Sequence, residues 1–102
     1  MNYIKELYID ENLKNPDEVL SAIQRKSPIF NVYLICVDKL SHNMALIMSL
    51  REAFAERNAN RDMTLIGVAY GRRGGYELFK RIVAQYLEKG FDFSDFKNKI
   101  LQ

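Results

Sequence analysis

The segment Phe30-Asn31-Val32-Tyr33-Leu34-Ile35-Cys36-Val37 constrains this chain more than any other. Branched and aromatic side chains occupy both of its alternating faces, and a strand tolerates that only where both faces of its sheet are covered. A chain of 102 residues, 48% of them apolar, is large enough to cover one such sheet with a single core. One α/β domain spanning residues 1–102 is therefore expected.

The flanking segments supply the other elements. Lys5 to Asp10 mixes Leu7, Tyr8 and Ile9 with polar neighbours, as an edge or half-exposed strand does. Asn15-Pro16-Asp17-Glu18 reads as a helix start, with Asn15 as cap, Pro16 at the first position and Glu18 completing a capping box. Val19, Leu20 and Ile23 form that helix's apolar stripe, and Pro28 stops it near Lys26. After the polar stretch Asp38 to Asn43, residues Met44, Ile47, Met48, Leu50 and Phe54 recur at helical spacing and predict a second helix that fades in Asn58-Ala59-Asn60. Thr64 to Tyr70 is the third strand; Leu65, Gly67 and Ala69 share one face, where two small residues imply close packing.

Gly71-Arg72-Arg73-Gly74-Gly75 reads as a loop that breaks this strand. Leu78, Phe79, Ile82, Val83, Tyr86 and Leu87 then mark an amphipathic helix, with Glu77 and Arg81 as a surface pair and Gly90 as a left-handed cap. Phe93, Phe96 and Ile100 repeat at helical spacing in a short docking helix, capped by Asp92 or Ser94. The order βαβαβα predicts three layers, with a small, mostly parallel three-stranded sheet. The third strand would form an edge without cover. Self-association is therefore expected, through sheet edges, the small-residue face or the aromatic tail.

Lys and Arg number 15 against 13 acids, a formal charge of +2, which is too balanced to attract polyanions in bulk. The single cysteine, Cys36, lies in the apolar strand as a small core residue, and a reducing, cytoplasmic setting follows. The N-terminus has no long apolar stretch, so neither a signal peptide nor a membrane span is expected.

In a parallel sheet, ligands bind beyond the carboxyl ends of the strands. Three loops would share that rim: Asp10, Glu11 and Asn12; Asp38, Ser41, His42 and Asn43; and Gly71 to Gly75. The last is the candidate anion site, because glycine amides, a helix start and the guanidinium groups of Arg72 and Arg73 all favour a phosphate or carboxylate beside Gly74 and Gly75. Its spacing matches neither a dinucleotide fingerprint nor a P-loop, and no cofactor is expected. The bland alternative is a flexible turn with solvated arginines.

Asp10, Glu11 and Asp38 would meet if their strands ran side by side, and grouped carboxylates suit a hard cation. This arrangement is similar to the acidic cluster of response-regulator receiver domains. The chain lacks two of their strands and their terminal-strand lysine, so membership is not inferred; carboxylates capping helices are the simpler reading, and no metal site is expected. Ser41 and His42 are adjacent residues that seldom face each other, and the lone histidine has no companion zinc ligands. Met44, Met48 and Met63, like Phe91, Phe93 and Phe96, are expected to pack in the core rather than dock a partner.

The leading functional expectation is a non-enzymatic, self-associating binding module. The alternative is a small enzyme or sensor for a phosphorylated or carboxylated metabolite, with Arg72, Arg73 and the Gly74–Gly75 amides holding the anion and Asp38 or His42 as acid or base. A third reading, weak nucleic-acid binding through Lys39, Arg72, Arg73, Lys80 and Arg81, is disfavoured by the balanced charge and by the lack of an aromatic-basic ladder.

Overall fold

A computed structural model of the chain describes residues 1–59 and 61–102. Among these residues, four strands form one mixed sheet in the order β1-β4-β2-β3: β1 (Asn2–Ile9), β2 (Val32–Asp38), β3 (Leu46–Ser49) and β4 (Met63–Tyr70). β1 and β4 are parallel, whereas β2 is antiparallel to both of its neighbours. The expected three-stranded, mostly parallel sheet is thus corrected in strand number and in direction.

The difference arises at residues 44–54. β2 turns back through the polar stretch after Asp38 and pairs with β3, Leu34 opposite Met48 and Ile35 opposite Ile47. A short helix, α2 (Leu50–Ala53), and a single 3-10 turn at Glu56–Asn58 follow. Leu46 and Met48 join one core cluster and Ile47 the other, so both faces of β3 carry apolar groups. Four residues with no polar face offer too few alternations to be told from a helix by periodicity. Asn60, the expected end of that helix, lies outside the described residues.

Helices cover both sheet faces, which keeps the layered expectation. On one face Val19 and Ile23 of α1 (Pro16–Gln24), with Leu50 and Ala53 of α2, pack on Val32, Leu34, Cys36, Leu65 and Val68. On the other, Leu78 and Ile82 of α3 (Gly71–Glu88), with Phe96 and Ile100 of α4 (Phe96–Ile100), pack on Ile35, Val37, Ile66 and Ala69. The tail helix docks as expected, although Phe93 is 58% exposed.

β4 departs from simple alternation. Ile35 pairs with Gly67 and Cys36 with Leu65, so Ile66 is an extra residue in the ladder. This bulge puts Leu65 in the α1 face while Gly67 and Ala69 stay under α3, dividing the residues expected to share one face. The close packing is there at Gly67: a Cβ would sit 3.2 Å from Ile35 Cδ1 and 3.3 Å from Leu78 Cδ2. β4 also lies inside the sheet, so the edge-pairing argument for self-association is lost. The two edges are β1 and the short β3.

Three local expectations change as well. Helix α1 begins at Pro16, but Asn15 adopts a left-handed conformation (φ 52°) without a side-chain cap; the capping box forms instead at Ser49 and Glu52. Phe30 precedes β2 and is 89% exposed rather than core, set apart by the positive φ of Asn31 (62°). Glu77 pairs with Lys80 at 3.5 Å instead of Arg81. Gly90 does take a positive φ, 90°, just beyond α3.

Candidate functional site

The mixed sheet separates what a parallel sheet would bring together. One end carries the finish of β1, β3 and β4 and the start of β2; the other carries the finish of β2. Asp10, Glu11, Asn12 and Arg72 to Gly75 therefore lie at one end, and Asp38, Ser41 and His42 follow the strand that leaves at the other. The common rim of three loops does not exist, and the carboxylates of Asp10 and Asp38 do not meet. Among the described residues, no group of three or more His, Cys, Asp or Glu side chains is placed to hold a metal ion.

At the first end, Gly71 to Gly75 is not a loop but the opening of α3, directly after Tyr70. Gly71 makes the turn with φ 75°, and its amide donates to the Asn31 carbonyl at 2.7 Å. The next glycines serve packing. A Cβ on Gly74 would lie 2.9 Å from Asp10 Oδ2, and one on Gly75 would lie 2.9 Å from Ile47 Cγ2. Asp10 is buried and accepts the Tyr70 amide on Oδ2 and the Asn12 amide on Oδ1, each at 3.1 Å. The positive end of α3 thus already faces a carboxylate of the chain itself.

The two arginines diverge. Arg72 lies over the Tyr33 ring, its Cζ 5.3 Å from the centroid, with Glu52 Oε1 3.7 Å from Nη2. Tyr76 lies one turn along α3, on the same helix face as Arg72. Arg73 faces the other way, into a cleft of about 650 Å³ shared with Glu11, Tyr70, Glu77 and Arg81. That cleft is mixed in charge.

A second cleft at this end, about 480 Å³, was not legible in the sequence. Ile29, Phe30, Tyr33, Ser49 and Arg51 line it, and these come from three segments. Its wall beside β3 is fixed by the capping box, in which Ser49 Oγ accepts the Glu52 amide at 3.1 Å and Glu52 Oε1 accepts the Ser49 amide at 3.2 Å. Ser49-x-x-Glu52 was the one available signal, and it marks a helix start within the span assigned to helix interior.

The opposite end is built for structure. Asp38 is buried, its Oδ1 accepting the Leu40 amide at 2.9 Å and its Oδ2 3.1 Å from Arg61 Nε. Lys97 of α4 donates to the Asp38 carbonyl at 2.9 Å and to the Ser41 carbonyl, tying the hairpin loop to the tail helix. Ser41 Oγ accepts the Asn43 amide rather than facing His42.

The Leu40 amide, then the Arg61 guanidinium, hold the Asp38 carboxyl below its ordinary value of 3.8. A depressed folded-state pKa stabilises the protein above the unfolded value, and that contribution is lost as pH falls through the folded one. Asp38→Asn is therefore expected to flatten the decline of stability below about pH 4, measured by urea denaturation across the acid range. An unchanged acid slope would contradict this role.

Burial pushes the Cys36 thiol up to about 12, consistent with a packing residue rather than a nucleophile. No helix among the described residues is long and apolar enough to cross a membrane. No known protein family, no curated protein and no solved structure matches the chain.

Proposed function

We propose that the protein is a non-enzymatic binding module whose ligand face is the end of the sheet where β4 runs into α3. The ligand carries a phosphate or carboxylate beside an apolar group. One observation carries this reading: the 480 Å³ cleft joins an exposed arginine, Arg51, to the apolar surface of Ile29, Phe30 and Tyr33, with Arg72 stacked on Tyr33. Its size suits a small ligand, and guanidinium groups suit oxyanions.

The anion site moves accordingly from the glycine amides toward Arg72 and Arg51, because Asp10 occupies the space beside Gly74. Arg73 serves the neighbouring cleft. The enzymatic alternative loses support, since Asp38 and His42 belong to the end opposite the arginines. The buried lone cysteine suits a cytoplasmic setting. A second copy of the chain would associate through the β1 or β3 edge or through exposed aromatic residues, not through β4.

The test is thermal unfolding with phenyl phosphate, phenylacetate and inorganic phosphate. The aromatic anions are expected to raise the midpoint in the parent protein and to lose that effect in Arg51→Ala with Arg72→Ala. Midpoints that stay flat across all three compounds would remove the reading.

A further inference from the structure

We infer that this same cleft takes the backbone of a single-stranded nucleic acid, with bases stacked on Phe30 and Tyr76 and phosphates held by Arg51 and Arg72. The inference rests on the binding-module reading and names its ligand class. The chain shows no aromatic-basic ladder in sequence because Phe30 precedes β2, Arg51 belongs to α2, and Arg72 and Tyr76 belong to α3. The fold gathers them: Phe30, Tyr33 and Arg51 share one cleft, Arg72 covers Tyr33, and Tyr76 follows Arg72 by one turn on the same face of α3.

Exposure separates this cluster from ordinary core aromatics. Phe30 is 89% and Tyr76 49% exposed, so each has ring surface open to a base. A sequence-tolerant single-strand site combines such rings with cations that follow the phosphates. Glu52 accepts the Ser49 amide and offsets part of the charge of Arg72, which stays 57% exposed, whereas exposed Arg51 makes no ion pair among the described residues. A double helix would keep its bases stacked on one another, away from these rings, so the single strand is the fitting form.

The experiment is fluorescence anisotropy with short labelled oligo(U) and oligo(dT), repeated across salt concentrations, with an acidic peptide of matched charge and a DNA duplex as competitors. Two phosphate contacts on a single strand set a slope of about −1.4 for the logarithm of the association constant against that of salt. Phe30→Ala is expected to weaken binding about fivefold or more at an unchanged slope. Arg51→Ala is expected to weaken it and to reduce the slope by about 0.7. Leu40→Ala, an exposed position in the loop beyond β2, is expected to change nothing.

Preference of oligo(U) over oligo(dT) would assign the site to RNA, and equal binding would assign it to either strand. Equal competition by the acidic peptide or the duplex, or insensitivity to Phe30→Ala, would overturn the inference. A thermal shift with phenyl phosphate but no oligonucleotide binding would overturn this inference alone and leave the binding-module reading standing. Silence in both assays would remove both.

Discussion

Phe96→Ala is expected to lower the free energy of unfolding by about 3–5 kcal/mol, as truncation of a buried phenylalanine does. Phe96 is only 1% exposed, and its ring meets Phe79 edge-on at 6.0 Å and Tyr86 edge-on at 5.4 Å. Such edge-to-face pairs add to the apolar burial itself. The helix that carries it is five residues long, too short to persist without its anchor. Losing the anchor also frees Lys97 from the Asp38 and Ser41 carbonyls, so the β2–β3 loop should exchange its amides faster. Urea denaturation with amide exchange measures both effects. A loss below about 1 kcal/mol would mean that α4 is an appendage rather than part of the core.

Asp10→Ala is expected to cost about 2–4 kcal/mol, chiefly because the Tyr70 amide would lose a charged acceptor at the entrance to α3. The adjoining glycine makes this a test of geometry as well as of stability. Gly74→Ala alone should destabilise, because the new methyl would press within 2.9 Å of Asp10 Oδ2. In the Asp10→Ala background that obstacle is gone, and the higher helix propensity of alanine, about 1 kcal/mol, should make Gly74→Ala stabilising. The double-mutant cycle should therefore return a coupling of about 1–3 kcal/mol. Strict additivity would show that the carboxylate does not occupy the space beside Gly74.

Much of the layered architecture was readable because its long elements repeat their pattern several times. Val32 to Val37 is apolar on both faces and is covered on both, and of the expected α3 stripe Leu78 and Ile82 are buried and Phe79, Val83 and Tyr86 pack beside them, whereas Leu87 is exposed. β3 was not readable, since Leu46 to Met48 is too short and too evenly apolar to show a period of two. That one element reversed the direction of the sheet and with it the location of Asp38, Ser41 and His42. The glycine cluster reads as a loop open to an anion, whereas it opens α3 and its glycines admit close packing. That packing was not legible, because Asp10 and Ile47, the residues that forbid a Cβ, are distant in sequence. Phe30, Arg51 and Tyr76 were invisible as a group for the same reason.

The polar residues after β1 and those after β2 lie at opposite ends of the sheet, and the whole ligand face depends on that separation. Spin labels on Asn12→Cys and His42→Cys, with buried Cys36 left unlabelled, would measure it directly by pulsed electron resonance. β2 spans Val32–Asp38, and at about 3.3 Å per residue the labels are expected to lie roughly 20 Å or more apart. A distance of about 10 Å, as neighbouring loops at one end of a parallel sheet separated by one or two strand spacings would give, would contradict the arrangement and the site built on it.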